Sequence, residues 1–149
     1  MSPLSPEKLT ELLARELPAV DRHGETVDEV GESHVRISMP VTEEYLSRDL
    51  PPGTGQVVVS GPSMMRLADT AMYACIHAFY GERAYGVILS VNTTFLSVAG
   101  EGDLSTVARL IKKGQSIAFL EAEIFSADSS EPSARVSATY KVWRSEREV

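Results

Sequence analysis

One carboxylate, Asp69, stands out as a group that could do chemistry, because it lies in a long and otherwise mostly apolar stretch, residues 60–80. A buried, unpaired carboxylate is costly, so it belongs at a cavity, a subunit boundary or a functional site. At a functional site it could act as a base or a nucleophile. The alternative is a carboxylate that is hydrogen-bonded across a subunit interface, and the residue pattern alone leaves these two interpretations equally open.

The segment that must position Asp69 reads as one buried helix. Gly61 can serve as the N-cap and Pro62 suits the first helical position. The residues that follow are apolar or small on nearly all sides, which is typical of a buried helix. The stretch is too short and too rich in Arg, Asp and His to span a membrane.

Other reactive side chains have simpler interpretations. His77 lies eight residues after Asp69, about 12 Å along a helix, and we expect a core or interface histidine. Cys75 has small and apolar neighbours and is interpreted as a buried hydrophobic residue. We expect His23 and His34 to be solvated. No set of His, Asp and Glu has metal-ligand spacing, so we predict neither a metal nor another cofactor.

Composition limits the class of protein. The 149 residues suit a single domain, and 43% hydrophobic residues suffice for an ordinary core. The formal net charge of −7 argues against a surface for nucleic acid or anionic membranes, which requires a basic face. One cysteine excludes an intrachain disulfide. The first residues lack the pattern of a signal peptide, so we expect a cytoplasmic protein.

The remaining elements are predicted from periodicity. A short amphipathic helix begins near Ser5 and ends at Pro18, as part of an N-terminal helical extension over residues 1–20. A strand covers residues 34–39, and one helical turn over residues 42–46 precedes a loop at residues 50–55.

Four strands follow the apolar helix. Their predicted ranges are 85–96, 103–111, 116–125 and 134–143, and a charged tail, 144–149, is expected to fray. Short polar connections between alternating strands predict an antiparallel meander with one buried face. The sheet can bury the apolar helix only by curving around it, so the predicted class is α+β, one sheet wrapped on one central helix.

The order and spacing of several blocks resemble the hotdog-fold acyl-CoA thioesterases, and within them the PaaI-like phenylacetyl-CoA thioesterases. The resemblance covers residues 34–142 and implies a single hotdog domain over residues 1–149. The blocks are Leu67-Ala68-Asp69-Thr70-Ala71 in the helix, Phe95-Leu96 at the end of the next strand, and Lys113-Gly114-Gln115 before a later strand.

The resemblance implies roles for particular residues. Asp69 takes the place of the acid that activates water or attacks the thioester carbonyl. Gly61 retains the backbone N–H that polarises that carbonyl, whereas Ser60 stands where the family has His. Thr54 replaces an Asn that helps to hold water or the carbonyl. A hydroxyl-bearing position of the next strand aligns with Ile88, and Ser90 and Asn92 lie nearby as substrate-contact candidates.

Binding of the CoA phosphates would require cations near the mouth of the site. The candidates are Arg66, Arg83, Arg109, Lys112 and Lys113. The turn Lys112-Lys113-Gly114 resembles the turn that contacts CoA in the family, and Met65 is a candidate for an acyl-lining wall. The family pairs sheet edges, which implies a homodimer or homotetramer with the site shared between protomers.

Three functions remain open on these residues. The first is hydrolysis of an acyl-CoA. The second is an acyl-CoA-binding domain without turnover, which the residues at positions 54, 60 and 88 favour. The third is a hotdog hydratase or dehydratase, which would require a His near the helix start, where Ser60 stands.

Overall fold

The computed structural model describes residues 3–144, so most of the predicted tail lies outside the described residues. Two α-helices and eight β-strands follow one another along these residues. They are α1 (Pro6–Glu16), β1 (Thr26–Val30), β2 (His34–Met39), β3 (Leu46–Ser47), β4 (Val58–Val59), α2 (Gly61–Tyr80), β5 (Tyr85–Phe95), β6 (Leu104–Lys113), β7 (Ile117–Phe125) and β8 (Ala134–Trp143). Single 3-10 turns cover Ala19–Asp21 and Glu43–Tyr45.

Helix α2 forms as predicted, and its ends have clear causes. The Ser60 side chain, one residue before the predicted N-cap, accepts a hydrogen bond from the Ser63 backbone N–H. The helix stops at Gly81, whose φ of 122° is a conformation that favours glycine. Burial on nearly all sides holds only from residue 70 onwards, because the first half leaves Met65, Arg66 and Asp69 exposed.

Six strands form one antiparallel sheet, in the order β1-β2-β6-β7-β8-β5, and α2 packs against it. This is the hotdog architecture that the resemblance implies. The predicted meander of four consecutive strands is wrong in one respect: β6, β7 and β8 are neighbours, but β5 pairs with β8 at the far edge. Periodicity defines which face of a strand is buried but not which strand it pairs with.

The predicted alternation, with one face of each strand buried, is confirmed in the last two strands. The buried positions are Ala118, Leu120, Ala122 and Ile124 on β7 and Val136, Ala138, Tyr140 and Val142 on β8. The edge strand β5 is different, because Val87, Leu89 and Val91 are each about half exposed. An unpaired apolar edge is a surface to which another strand can add.

The N-terminal segment is firmly attached to the sheet. Leu9, Leu12 and Leu13 of α1 are buried, and the Val27 N–H of β1 donates a hydrogen bond to Thr10 Oγ1 over 3.0 Å. Strand β1 was not predicted. Its register shifts between Val27 and Glu29, and this irregularity interrupts the alternation of polar and apolar residues.

Within residues 3–144, no helix has both the length and the apolar character needed to cross a bilayer.

Candidate functional site

Asp69 faces a cleft of about 380 Å³ in the single chain. The cleft lies between the middle of α2, the start of β5, the inner face of β8 and the segment that follows α1. Its lining residues are Glu16, Leu17, Pro18, Asp21, Arg66, Asp69, Thr70, Tyr73, Gly86, Val87, Ile88 and Tyr140. The cleft thus has a mixed lining, in which apolar residues alternate with charged ones and the Asp69 carboxylate is exposed on α2.

The partner of Asp69 is a tyrosine that the sequence reasoning did not single out. The hydroxyl of Tyr140 donates a hydrogen bond to Asp69 Oδ1 over 2.5 Å. Tyr140 is only 1% exposed. A buried tyrosine hydroxyl needs a hydrogen-bond acceptor, so a tyrosine at a buried position of β8 was the sequence signal for a partner of a buried polar group such as Asp69.

The surroundings of Asp69 raise its pKa above the ordinary range. Burial on the packed side of the carboxyl is the main cause, although solvent reaches the other side. The hydrogen bond from Tyr140 acts in the opposite direction, and the charge of Asp21 raises the pKa further. Burial and the charge of Asp69 also raise the pKa of Tyr140, so its hydroxyl is a proton donor at neutral pH.

One wall of the cleft comes from the N-terminal segment, outside the range of the predicted resemblance. Leu17 and Pro18 line the cleft directly after α1. The Arg22 side chain donates from Nε to the Leu17 carbonyl over 2.7 Å, which holds this segment in place. Sequence periodicity predicted α1 but could not place its end beside Asp69.

The start of α2 carries Gly61 and Ser60. The Ser60 hydroxyl caps the helix by accepting from the Ser63 N–H and also lies 2.7 Å from Ser63 Oγ. A Cβ at Gly61 would lie 3.2 Å from the Phe95 ring, so glycine fits the close approach. In the part of the chain described, the Gly61 N–H has no hydrogen-bond partner, as is usual for the first turn.

Gly61 and Asp69 are not brought together within one chain. They are eight residues apart on the same helix, which separates them by about 12 Å along its axis. A carbonyl group about 3 Å from each of them cannot fit this spacing.

Thr54 lies in the loop before β4, and its hydroxyl is used locally. It donates to the Pro51 carbonyl over 2.6 Å and accepts from the Gln56 N–H. The same loop is closed by Asp49, which accepts from the Gly53 and Gly55 amides. Thr54 does not line the Asp69 cleft.

The candidates for substrate contacts are divided between two faces. Arg66 lines the cleft, whereas Met65 is 39% exposed and is not among the lining residues. Ser90 and Asn92 pair with Thr139 and Ser137 after a bulge in β5, which puts both on the outer face of the sheet. Asn92 lines a groove of about 270 Å³ there.

The turn with Lys112, Lys113 and Gly114 lies at the other end of α2. Tyr80, the last residue of the helix, donates a hydrogen bond to the Gly114 carbonyl over 2.6 Å, and Lys113 Nζ lies 5.2 Å from the Tyr80 ring centre. Tyr80 is about 16 Å from Asp69 along the helix axis. The turn is therefore not part of the Asp69 cleft in one chain.

The histidines and the cysteine have structural environments. His77 is buried, with Nδ1 3.2 Å from the Glu82 carbonyl, and burial lowers its pKa. Cys75 is buried, as predicted, and burial raises its pKa. The expected solvation is wrong for His23, which is partly buried and bonded to Tyr45, whereas His34 keeps partial exposure and is bonded to the exposed Glu29. Among residues 3–144, no group of three His, Cys, Asp or Glu side chains could hold a metal ion.

Comparison with known proteins identifies the family. The model of the thioesterase superfamily matches residues 56–133, more than half of the chain, and the chain therefore belongs to this superfamily. The match includes all of α2 with Asp69, but neither α1 nor Tyr140. A search of the curated proteins finds no match.

Solved structures share the fold over nearly the whole chain. A candidate thioesterase from Silicibacter sp. TM1040 has 29% identity and a TM-score of 0.79, covering 94% of this chain and 92% of that one. A thioesterase from Haemophilus influenzae has 21% identity and a TM-score of 0.78, covering 97% and 94%. A mutant thioesterase from Pseudomonas aeruginosa has 21% identity and a TM-score of 0.75, covering 93% and 94%.

Proposed function

We propose that the chain hydrolyses the thioester of an acyl-CoA to the free acid and CoA, with Asp69 as the base or nucleophile. The observation that carries the proposal is the Asp69 carboxylate, which faces a cleft from a mostly apolar helix. Membership of the thioesterase superfamily supports thioester hydrolysis as the class of reaction. The PaaI-like branch and action in the cytoplasm belong to this proposal.

In the base form of the reaction, Asp69 accepts a proton from water as the water oxygen adds to the thioester carbon. The carbonyl oxygen gains negative charge, and the Gly61 N–H donates a hydrogen bond to it. The C–S bond then breaks, and CoA leaves as a thiolate that takes up the proton held by Asp69, which returns the carboxyl to its ionised form. The attack by water requires Asp69 to be ionised.

The proposed site includes two copies of the chain. Gly61 and Asp69 of one chain are too far apart to act on one carbonyl, so a second copy would supply the N–H. The exposed edge of β5 is a surface on which two sheets could pair into a homodimer, or pairs of dimers into a homotetramer. Such pairing would also decide which of Met65, Arg66, Ser90, Asn92 and the turn 112–114 contact CoA.

Acyl-CoA binding without turnover is the second candidate. The hydroxyls of Ser60 and Thr54 already have partners in their own segments, so neither is free to hold water at the site. This observation favours a binding domain over an enzyme in which further side chains hold the attacking water beside the carboxylate. A hydratase finds less support, because His77 is held against the Glu82 carbonyl and does not line the cleft.

The test is release of free thiol from short, medium, long and aromatic acyl-CoAs. Native protein should hydrolyse at least one class, and Asp69→Asn should lower the rate by about 10²–10⁴-fold. Asp28→Asn is the matched control, because Asp28 is an exposed carboxylate on β1. Tight acyl-CoA binding by calorimetry with no turnover on any member would overturn the proposal and support the binding domain.

A further inference from the structure

We infer that Tyr140 is a positioning residue for Asp69: its buried hydroxyl favours the ionised carboxylate and orients it so that the other oxygen faces the cleft. The inference deepens the proposed function and rests on it for its catalytic meaning. The hydrogen bond itself can be tested without any turnover.

The geometry assigns the hydroxyl proton to the carboxylate. Tyr140 Oη lies 2.5 Å from Asp69 Oδ1 and 3.5 Å from the Asp69 backbone carbonyl, so the single proton goes to the nearer, charged acceptor. Within residues 3–144, Asp69 Oδ2 accepts no hydrogen bond. One oxygen is therefore held and the other is left for a water or a thioester carbon.

Burial decides how Tyr140 can act. Tyr140 lines the cleft, but only 1% of the residue is exposed and its single proton is donated to Asp69, so a substrate in the cleft meets the carboxylate rather than a free tyrosine hydroxyl. Tyr140 must then work through Asp69. A hydrogen bond to a charged group is stronger than one between neutral groups, and its loss would leave the carboxylate facing an apolar wall.

A glycine on the neighbouring strand makes room for the Tyr140 ring. A Cβ at Gly86 would lie 3.1 Å from Tyr140 Cδ2 and 3.2 Å from Ile76 Cγ1. Both contacts are tighter than ordinary packing, so an alanine at position 86 would displace the ring or the isoleucine. Gly86 thus fixes the position of the ring without contacting the carboxylate.

The other groups around Asp69 do not replace this bond. Burial and the charge of Asp21 raise the pKa of Asp69, and the Tyr140 hydrogen bond lowers it. Glu16, Arg66 and Tyr73 also line the cleft, but none of them donates a hydrogen bond to the carboxylate in the described part of the chain. Tyr140 lies beyond residues 56–133, so the superfamily match does not include it.

The test begins with Tyr140→Phe, which removes the hydroxyl and keeps the ring. The carboxyl resonance of Asp69, assigned by its loss in Asp69→Asn, is titrated by ¹³C NMR. We expect the pKa of Asp69 to rise by about 1 to 2 units, and the acid limb of the kcat/KM profile to move up with it. At neutral pH kcat should fall by about 10- to 100-fold with little change in KM.

Tyr45→Phe is the matched control, because Tyr45 is a buried tyrosine whose hydroxyl is bonded to His23, 2.7 Å away. It should leave the pKa of Asp69 and the acid limb unchanged. Gly86→Ala is a second variant that keeps the hydroxyl and crowds the ring, and a weakened bond from Tyr140 to Asp69 should raise the pKa of Asp69 in the same direction. Circular dichroism and thermal melting show whether each variant is folded.

An unchanged pKa of Asp69 in folded Tyr140→Phe would overturn the inference, even if kcat falls. If Asp69→Asn is inactive while Tyr140→Phe changes neither the pKa nor kcat, the inference fails and the proposed function stands. If Asp69→Asn keeps its activity while Tyr140→Phe shifts the pKa, the proposed role of Asp69 fails and the hydrogen bond stands.

Discussion

The start and the middle of α2 both carry polar groups, but they use them differently. At the start, the Ser60 hydroxyl has a partner in the helix itself, and the Thr54 hydroxyl has one in the preceding loop. In the middle, Asp69 has one hydrogen bond, from Tyr140, and one side open to a cleft. At the helix start, the side-chain hydroxyls are hydrogen-bonded and stabilise the helix end and the preceding loop. In the middle, one oxygen of the Asp69 carboxylate has no hydrogen bond within the described residues.

This difference separates groups that hold the structure from groups that are available for chemistry. A side chain whose hydrogen bonds are all internal contributes stability when present and costs stability when removed. A carboxylate with a raised pKa lowers the stability of the fold when it is ionised, because the charged form is disfavoured where it lies. At the helix start, the Gly61 N–H has no hydrogen-bond partner within the described residues, and in this it resembles the second carboxylate oxygen of Asp69.

The variants with the largest expected effect test whether the Asp69 carboxylate and the Gly61 N–H act together across two chains. Asp69→Asn and Gly61→Pro should each be nearly inactive, the second because proline lacks the N–H. Co-expressed with different tags, they form mixed dimers in which one of two sites is intact. Random pairing makes half of the dimers mixed, so the preparation should recover about a quarter of native activity.

Thiol release measures this recovery in the whole preparation, and the purified doubly tagged fraction, which contains only mixed dimers, should show about half of native activity. Melting curves first show that both single variants fold. No activity in purified mixed dimers would show that Gly61 and Asp69 do not share a site across chains. The start of α2 would then be structural only.

The next effect concerns Ser60. Ser60→Ala should lower the free energy of unfolding by about 1 kcal/mol, the usual cost of losing a helix cap. Its kcat/KM should fall far less than that of Asp69→Asn, because the hydroxyl is committed to Ser63. Ser60→Thr, which can still cap, should restore most of the stability in a urea titration. A full loss of hydrolysis at unchanged stability would assign Ser60 to the chemistry instead.

The smallest expected effect is the change in the free energy of unfolding that Asp69→Asn causes. The pKa of Asp69 is raised in the folded chain, so the stability associated with its protonated form is present at low pH. That stability is lost as the pH rises from the ordinary Asp range through the raised pKa. Asparagine does not titrate and its amide oxygen can accept from Tyr140.

Asp69→Asn should therefore be at least as stable as the native chain at pH 7, by less than about 1 kcal/mol because solvent reaches one side of the carboxyl. The difference should shrink towards acid pH, as urea titrations at several pH values can show. A variant less stable than the native chain at pH 7 would mean that the ionised carboxylate is favoured in the fold.

Much of the fold could be predicted from local patterns. Pro62 and Gly81 delimit α2, and the alternation in β8 predicted that one of its two faces is buried, as it is. Strand β1 was missed because a shift in register disturbs its alternation near Val27. The place of β5 beside β8 was also missed, since pairing depends on the whole sheet and not on the strand itself.

The candidate site was predictable only in part, for the same reason. Asp69 is anomalous within its own helix, so one stretch of sequence identifies it. Its partner Tyr140 lies 71 residues after Asp69 in the sequence, and Leu17 of the cleft wall lies more than 50 residues before Asp69. Such contacts arise from packing between elements, which a periodic pattern does not encode.

The cleft wall at Leu17 and Pro18 lies outside the segment that defines the superfamily, whereas Asp69 lies inside it. In evolutionary terms, the wall after α1 and the helix that carries Asp69 can accept substitutions independently of each other. Substitutions after α1 reshape the space in front of the carboxylate and leave α2 as it is. A lineage built in this way can diversify what enters the cleft while inheriting the reactive helix unaltered.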